Sequence, residues 1–239
     1  MLAARQQPWC ARLQSLFHVL LLLACLLATG FTTHGAWSDE TAITISEKVL
    51  AGAERRYGPD ARKRLLAWQS LLGSPAAREA ELSKLKLVND FFNQIPFLSD
   101  IEHWGKEDYW ATPAEMLASN GGDCEDFSIA KYFTLVSLGV PVDKLKITYV
   151  RARTNNPVTE AHMVLTYYAT ASAMPLVLDN LIPDIKPASQ RPDLTPVYSF
   201  NGAGLWLAKE RGDGKPVAGG SSNIGFWRDL KQRMGNEFQ

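Results

Sequence analysis

The sequence predicts an α+β fold in which a set of helices precedes an antiparallel sheet along the chain. Before residue 139, apolar residues recur three or four positions apart, which is the spacing of one helix face. After residue 145, apolar and polar residues alternate in short runs, as they do along β-strands. Helical segments followed by strands indicate separate layers of helices and sheet.

The first 36 residues are predicted to be a secretory leader. Residues 1–38 contain no Asp or Glu, and Arg5 and Arg12 precede an apolar run at residues 16–28. Small residues follow, which completes the basic, apolar and small order of such leaders. The run is shorter than the roughly 20 apolar residues that span a bilayer. We therefore expect export to the periplasm.

Two alternatives to a cleaved leader remain open, namely a retained membrane anchor and a lipoprotein processing site at Cys25. Apolar residues continue after Cys25, which weakens the second alternative. Residues 37–239 are predicted to form one domain, because roughly 200 residues suit one core better than two. Lys and Arg number 25, as do Asp and Glu, so no charge imbalance indicates nucleic acid as a partner.

The helices before residue 121 are predicted from apolar stripes with proline or glycine at their ends. Pro59 precedes a stripe that stops at Gly73, and Pro113 begins a short helix in an otherwise irregular aromatic segment. We assign these stripes to the core. The predicted helices are a short one within residues 39–58, then residues 60–72, residues 76–95, and a short one beginning at residue 113.

An almost entirely apolar helix is predicted at residues 123–138. Asp123 is a favourable N-cap residue, and Gly139 ends the helix. A helix that is apolar on all sides belongs at the centre of a fold. Cys124 lies in its first turn.

The strands are predicted from alternation in the second half of the chain. A Gly/Ser-rich surface loop at residues 212–222 follows them, and a last helix at residues 224–234 is expected to dock through Phe226, Trp227 and Leu230. The predicted strands are residues 146–153, 161–168, 173–179, 196–200 and 204–208.

Removal of the leader would leave Cys124 as the only cysteine, because Cys10 and Cys25 lie within it. A lone cysteine in an oxidising compartment is either buried and inert or a working thiol. Only His103 and His162 then remain as possible bases. Because His103 lies in an irregular segment before the cysteine, His162 is the candidate base.

Cys124 is the candidate nucleophile. At the first turn of a helix, unpaired N–H groups and the helix dipole are expected to lower the pKa of its thiol. Its backbone N–H can help to hold an oxyanion, as can the indole N–H of Trp104 or Trp110, while Gly121 and Gly122 allow the backbone to approach a substrate. The alternative is a small buried hydrophobic residue.

His162 and Asp179 are predicted to face each other across a hairpin. If strands 161–168 and 173–179 are joined by a four-residue loop, the register pairs these two residues directly. Their Cβ atoms would then lie about 5 Å apart, within reach for the carboxylate to orient the imidazole. The alternative is an ordinary His–Asp pair at the surface.

Asp123, Glu125 and Asp126 surround the candidate nucleophile. They have a structural explanation, because acidic residues cap a helix and complement its positive end. Acidic residues beside a thiol also oppose formation of the thiolate, and a divalent cation would remove that repulsion. Calcium prefers carboxylate and carbonyl oxygens, so calcium binding stands as a hypothesis beside helix capping.

The segments GGDCEDFSIAKY, AHMVLTYY and PLVLDN, which contain Cys124, His162 and Asp179, resemble the bacterial transglutaminase-like cysteine proteinases. The resemblance implies a papain-like or transglutaminase-like core, in which the nucleophile begins a central helix packed on an antiparallel sheet. It implies that these three residues form a catalytic triad. It also implies calcium dependence, carried by Asp123 and Glu125.

The resemblance further implies a protein substrate, the N-terminal region of a large cell-surface adhesin, cut near paired alanines so that cells leave a biofilm. It implies sequestration of the protease by an inner-membrane cyclic-di-GMP receptor. We accordingly expect a periplasmic, calcium-dependent cysteine endopeptidase. Two alternatives on the same fold remain open: a transglutaminase or acyltransferase, and a non-catalytic peptide-binding module.

Overall fold

The computed structural model of the protein describes residues 44–153, 159–207 and 216–234. The described residues belong to one compact unit, residues 42–239. The predicted leader, with both of its alternatives, lies outside the described residues. Within the three described ranges, no helix combines the length and hydropathy needed to cross a membrane.

Three of the described helices begin at a side-chain cap or at a proline. Ser46 accepts a hydrogen bond from the backbone N–H of Val49, and Pro59 is the first residue of the next helix. Thr112 and Glu115 form a reciprocal capping box. In the described ranges the helices are α1 (Glu47–Tyr57), α2 (Pro59–Leu72), α3 (Glu81–Phe92), α4 (Asp100–His103), α5 (Pro113–Ser119), α6 (Cys124–Ser137) and α7 (Gly225–Met234).

The helix predicted at residues 76–95 is shorter in the structure. A 3-10 turn at Pro75–Arg78 comes first, and α3 begins only after Ala80, which has an extended backbone with φ −59° and ψ 153°. That extended residue interrupts the helical hydrogen bonding, so the predicted single helix is wrong in its first turn. No helix is predicted at the position of the single turn α4.

All strands of the described residues join one antiparallel sheet, in the order β4–β3–β2–β1–β5–β6. The two nine-residue strands β1 and β2 lie at its centre. Helices followed by an antiparallel sheet confirm the predicted α+β class. The strands are β1 (Leu145–Arg153), β2 (Thr159–Tyr167), β3 (Leu176–Leu178), β4 (Lys186–Pro187), β5 (Leu194–Phe200) and β6 (Leu205–Leu207).

The core lies between α6 and the sheet. α6 packs against β1 and β2 on one side and against α3 and α5 on the other. Ile129, Ala130 and Leu135 of α6 have no exposed surface, as expected for a central helix that is apolar on all sides. This packing confirms the predicted central helix and places one of its faces against β2.

The last helix docks onto this core mainly through Trp227 and Leu230, which are fully buried. The Trp227 ring stacks on Phe133 of α6, with 5.3 Å between the ring centroids. Phe226 differs from the prediction, because it remains half-exposed and stacks on Trp110 instead of entering the core. α7 therefore covers the flank of α6 with one face only.

Candidate active site

Cys124 is the first residue of α6, which packs against strand β2. The backbone N–H of Met163 in β2 lies close enough to the Cys124 thiol to favour its thiolate form. Because Met163 directly follows His162, this contact brings the thiol beside the strand that carries the predicted base.

His162 and Asp179 are in direct contact. Nε2 of His162 lies 2.9 Å from Oδ1 of Asp179, and both side chains are buried. An ionised carboxylate only accepts hydrogen bonds, so the proton of a neutral imidazole belongs on Nε2. Nδ1 is then the nitrogen that can accept a proton.

The register through which His162 and Asp179 meet differs by two residues from the prediction. Leu165 pairs with Leu178, whereas the predicted register pairs Leu165 with Leu176. The predicted direct pairing of His162 with Asp179 is therefore wrong, because β3 starts later than predicted and Asp179 follows its end. A shift of two residues keeps a side chain on the same face of the sheet, so the two residues meet diagonally.

Arg191 binds the second oxygen of Asp179. Its Nη2 donates to Oδ2 over 2.8 Å, and the Leu181 backbone N–H donates to Oδ1 over 3.1 Å. Burial acts to raise the pKa of Asp179, but the hydrogen bond and charge of His162, with those two donors, lower the pKa to about 2. Arg191 is itself buried and also binds Asp193. Arg191 is not predictable as a site residue from the sequence, because no periodicity or motif distinguishes it.

The Cys124 thiol has a higher pKa than the sequence analysis expects. Burial raises the pKa, and the charge and hydrogen bond of Glu125, with the charge of Asp123, raise it further. The thiol donates to Oε2 of Glu125 over 3.0 Å. The expected lowering by the helix dipole is therefore wrong for the protein as described, because burial and the adjacent full negative charges together outweigh the partial charge of a helix end.

Asp123 occupies the N-cap position of α6 without capping it. Its side chain makes no hydrogen bond to the first turn of the helix, and its Oδ1 is buried with no partner among the described residues. The predicted capping role is therefore wrong. The side chain is directed into a cluster of carboxylates instead.

The carboxylate cluster joins residues from both sides of the loop before α6. Oxygens of Asp100, Asp123 and Asp126 lie within 4.8 Å of one another, as do oxygens of Asp100, Asp108 and Glu125. Within the described ranges, Oδ1 of Asp100 and Oδ2 of Asp126 are also buried without a hydrogen-bond partner. Three buried, unpartnered carboxylate oxygens thus converge beside the nucleophile.

The charges of this cluster fit a bound divalent cation. Burial, with the charges of Glu125 and Asp108, raises the pKa of Asp100 to about 6, and burial raises the pKa of Asp126 well above its usual value. Buried carboxylates without partners are unfavourable unless they are protonated or bind a cation. Calcium takes several such oxygens. The donor set fits calcium and adds Asp100 and Asp126 to the predicted ligands Asp123 and Glu125.

Gly121 and Gly122 are required for close packing around this cluster. A Cβ atom at Gly121 would lie 2.4 Å from Cδ1 of Leu98, and one at Gly122 would lie 2.7 Å from Oδ2 of Asp126. The close approach predicted for these glycines is therefore an approach to protein side chains. Any larger residue at position 122 would displace Asp126 from the cluster.

His103, Trp104 and Trp110 have different surroundings. Nε2 of His103 lies 2.8 Å from Oγ of Ser119. The Trp110 indole lies beside Asp108, which can accept from its N–H. Nε1 of Trp104 is buried without a partner in the part of the chain described, so Trp104 stays a candidate.

Comparison with known proteins gives consistent matches. Residues 69–197 match the family model described as bacterial transglutaminase-like cysteine proteinase BTLCP. The solved structure of Legionella pneumophila LapG is 47% identical, with a TM-score of 0.66, and the match covers 80% of this chain and 98% of that one. Comparison with curated proteins returned no match.

Two further structures of the same Legionella protein match over 80% of this chain. The EGTA-treated form is 47% identical with a TM-score of 0.67 and is covered to 98%, and the calcium-bound form is 46% identical with a TM-score of 0.66 and is covered to 99%. A family match over more than half of the chain and a relative of this identity show that the chain belongs to the bacterial transglutaminase-like cysteine proteinases.

Proposed function

We propose that the protein is a calcium-dependent cysteine endopeptidase in which Cys124 is the nucleophile, His162 the base and Asp179 the residue that orients His162. The observation that carries this proposal is the buried His162–Asp179 contact. In β2, His162 directly precedes Met163, whose backbone N–H lies beside the Cys124 thiol. A carboxylate that holds one ring nitrogen leaves the other directed and basic.

In the proposed reaction, Sγ of Cys124 bonds to the peptide carbonyl carbon while its proton passes to Nδ1 of His162. Asp179, kept ionised by its hydrogen bonds, stabilises the resulting imidazolium. The backbone N–H at the start of α6 supports the oxyanion. His162 then returns the proton to the leaving amine, the C–N bond breaks, and water hydrolyses the acyl-enzyme with the same imidazole as base.

Calcium is proposed to bind Asp123 and Glu125, with Asp100 and Asp126 as additional ligands. When bound, it supplies positive charge that offsets the carboxylates which raise the pKa of the Cys124 thiol. The unpartnered oxygens of the cluster support this assignment. So do the calcium-bound and EGTA-treated structures of the Legionella relative.

We further propose a periplasmic location and, as substrate, the N-terminal region of a large cell-surface adhesin, cut near paired alanines. Cleavage would release cells from a biofilm, and an inner-membrane cyclic-di-GMP receptor would sequester the protease. These proposals rest on membership of the family and on the predicted leader. The geometry of the site supports only the peptide-cleaving step.

The proposed function is tested by incubating the protein and calcium with an adhesin N-terminal fragment that contains paired alanines. We expect two products from the wild type and a rate at least a thousandfold lower from Cys124→Ala, because the acyl-enzyme cannot form. Mass spectrometry identifies the cut. A fragment whose paired alanines are replaced by aspartates is the matched substrate control.

Three outcomes of this experiment would contradict the proposal. Efficient cleavage by Cys124→Ala would remove Cys124 from the reaction. If an added primary amine were incorporated into the product in preference to water, the protein would be an acyltransferase. Binding of the fragment without cleavage, equal in both variants, would indicate a peptide-binding module.

A further inference from the structure

The segment that begins with Asp179 has no regular secondary structure of its own. Residues 179–185 connect β3 to β4 and contain neither helix nor strand. Two asparagines of the α3 region hold its backbone: Asn93 Nδ2 donates to the Asp179 carbonyl over 2.9 Å, and Asn89 Nδ2 donates to the Pro183 carbonyl over 2.8 Å. The position of Asp179 therefore depends on side chains outside the sheet.

Lys131 of α6 determines which way the Asn89 amide points. Lys131 has no exposed surface, and its Nζ donates to Oδ1 of Asn89 over 2.9 Å. With the amide oxygen on the ammonium group, the amide nitrogen is directed at Pro183. A reversed amide would place two donor groups against each other and would lose both hydrogen bonds.

A charged residue at this position is costly for stability. Burial lowers the pKa of Lys131 to about 7, and the charge of Asp179 acts in the opposite direction. The ammonium group also lies 5.7 Å from the centre of the Phe127 ring. A lone buried cation is unfavourable unless it is paired, and Lys131→Met alone would leave Oδ1 of the buried Asn89 without its donor.

We propose that Lys131 is a positioning residue for the active site, which acts through Asn89 on segment 179–185. This inference rests on the proposed function, because it assigns Lys131 a role in directing Asp179 at His162. Lys131 itself touches neither the thiol nor the imidazole in the contacts described. Arg191 binds the side chain of Asp179, whereas Lys131 and Asn89 hold the backbone of the residues that follow Asp179.

The test measures alkylation of Cys124 by iodoacetamide in the calcium-loaded, full-length protein, together with thermal unfolding. Lys131→Met is expected to slow alkylation about tenfold, because a less well held Asp179 orients His162 poorly. Lys86→Met removes a lysine that is exposed on α3 and paired with Asp90, and it is expected to change neither measurement. It serves as the matched control.

The double variant Lys131→Met/Asn89→Leu separates positioning from stability. Replacing both polar partners by apolar groups leaves no buried unpaired atom between them, so thermal stability should return to near the wild-type value. Because Pro183 is an exposed residue, we expect its carbonyl to bind water instead. Alkylation should stay about tenfold slower than in the wild type, because segment 179–185 still lacks the hydrogen bond from Asn89. If alkylation recovered together with stability, Lys131 would have a structural role only and the proposal would be overturned.

His162→Gln distinguishes failure of this inference from failure of the proposed function. If the wild type alkylates no faster than His162→Gln, the proposed function itself is wrong. If the wild type alkylates much faster than His162→Gln and Lys131→Met matches the wild type, only the positioning role is wrong.

Discussion

His162→Gln is expected to slow alkylation of Cys124 by iodoacetamide at least a hundredfold and to abolish peptide cleavage. Removal of a general base typically costs two to four orders of magnitude. The effect should be at the upper end of that range here, because burial and two acidic neighbours raise the pKa of the thiol and leave little thiolate without a base. Mass spectrometry of the alkylated protein over time gives the rate.

His103→Gln is the matched control for this experiment. His103 and His162 are the only histidines in residues 37–239, and glutamine can keep the hydrogen bond from position 103 to Ser119. We expect His103→Gln to stay within about twofold of the wild type, since the described side-chain contacts of His103, with Ser119 and Trp104, include none of Cys124, His162 and Asp179. Equal rates for His162→Gln and the wild type would support the peptide-binding alternative.

Chelation of calcium with EGTA is expected to stop cleavage and to slow alkylation of Cys124. Without a cation, the charges of Glu125 and Asp123 oppose the thiolate. The variant Glu125→Gln gives the sharper result, because it removes both a proposed ligand and a source of repulsion. In calcium it should alkylate more slowly than the wild type, and in EGTA it should alkylate faster. Unchanged turnover of the wild type in excess EGTA would rule out the calcium dependence.

The same carboxylates predict an unusual dependence of stability on pH in the calcium-free protein. The folded-state pKa of Asp100 is raised from 3.8 to about 6, so the folded protein holds that proton more tightly than the unfolded chain. This contribution is fully present below about pH 4 and is lost as the pH rises through about 6, at a cost on the order of 3 kcal/mol. Asp126 acts in the same direction.

Urea unfolding between pH 4 and pH 7 measures this effect. We expect the free energy of unfolding to fall with rising pH in calcium-free protein, and the fall to disappear when calcium is added. Asp126→Asn keeps the Oδ1 atom that accepts a hydrogen bond from the Ala111 backbone N–H, but it removes the charge. It should therefore reduce the dependence of the unfolding free energy on pH in the calcium-free protein. Asp179 has a lowered pKa and contributes the opposite slope only below about pH 4. A calcium-free stability that rises across this range would contradict the site.

Much of this protein was predictable from local patterns. Apolar spacing predicted α6 as the central helix, and alternation predicted the sheet that follows it, because burial of one face imposes a period on the residues that form it. Counting cysteines and histidines reduced the possible thiol and base to Cys124 and His162. Their catalytic roles stay predictions, and the alkylation experiments test them.

The hairpin between β2 and β3 shows where local patterns fail. The predicted register and the observed one differ by two residues, and both place the same side chains on the core face. Alternation therefore could not choose between them. The choice depends on the length of the connection and on the packing of β3 against its neighbours, which the alternating pattern does not record.

The sequence by itself determined the order of helices and strands, the central place of α6 and the small set of residues able to supply a thiol and a base. Only the tertiary structure decided which charges meet. Asp100 joins Asp123 and Asp126, Arg191 binds Asp179, and Lys131 binds the asparagine that holds the segment after Asp179. Apolar periodicity can be read from residues that are close together in the sequence. The role of a buried charge can be recognised only when its partner, distant in the sequence, is in place.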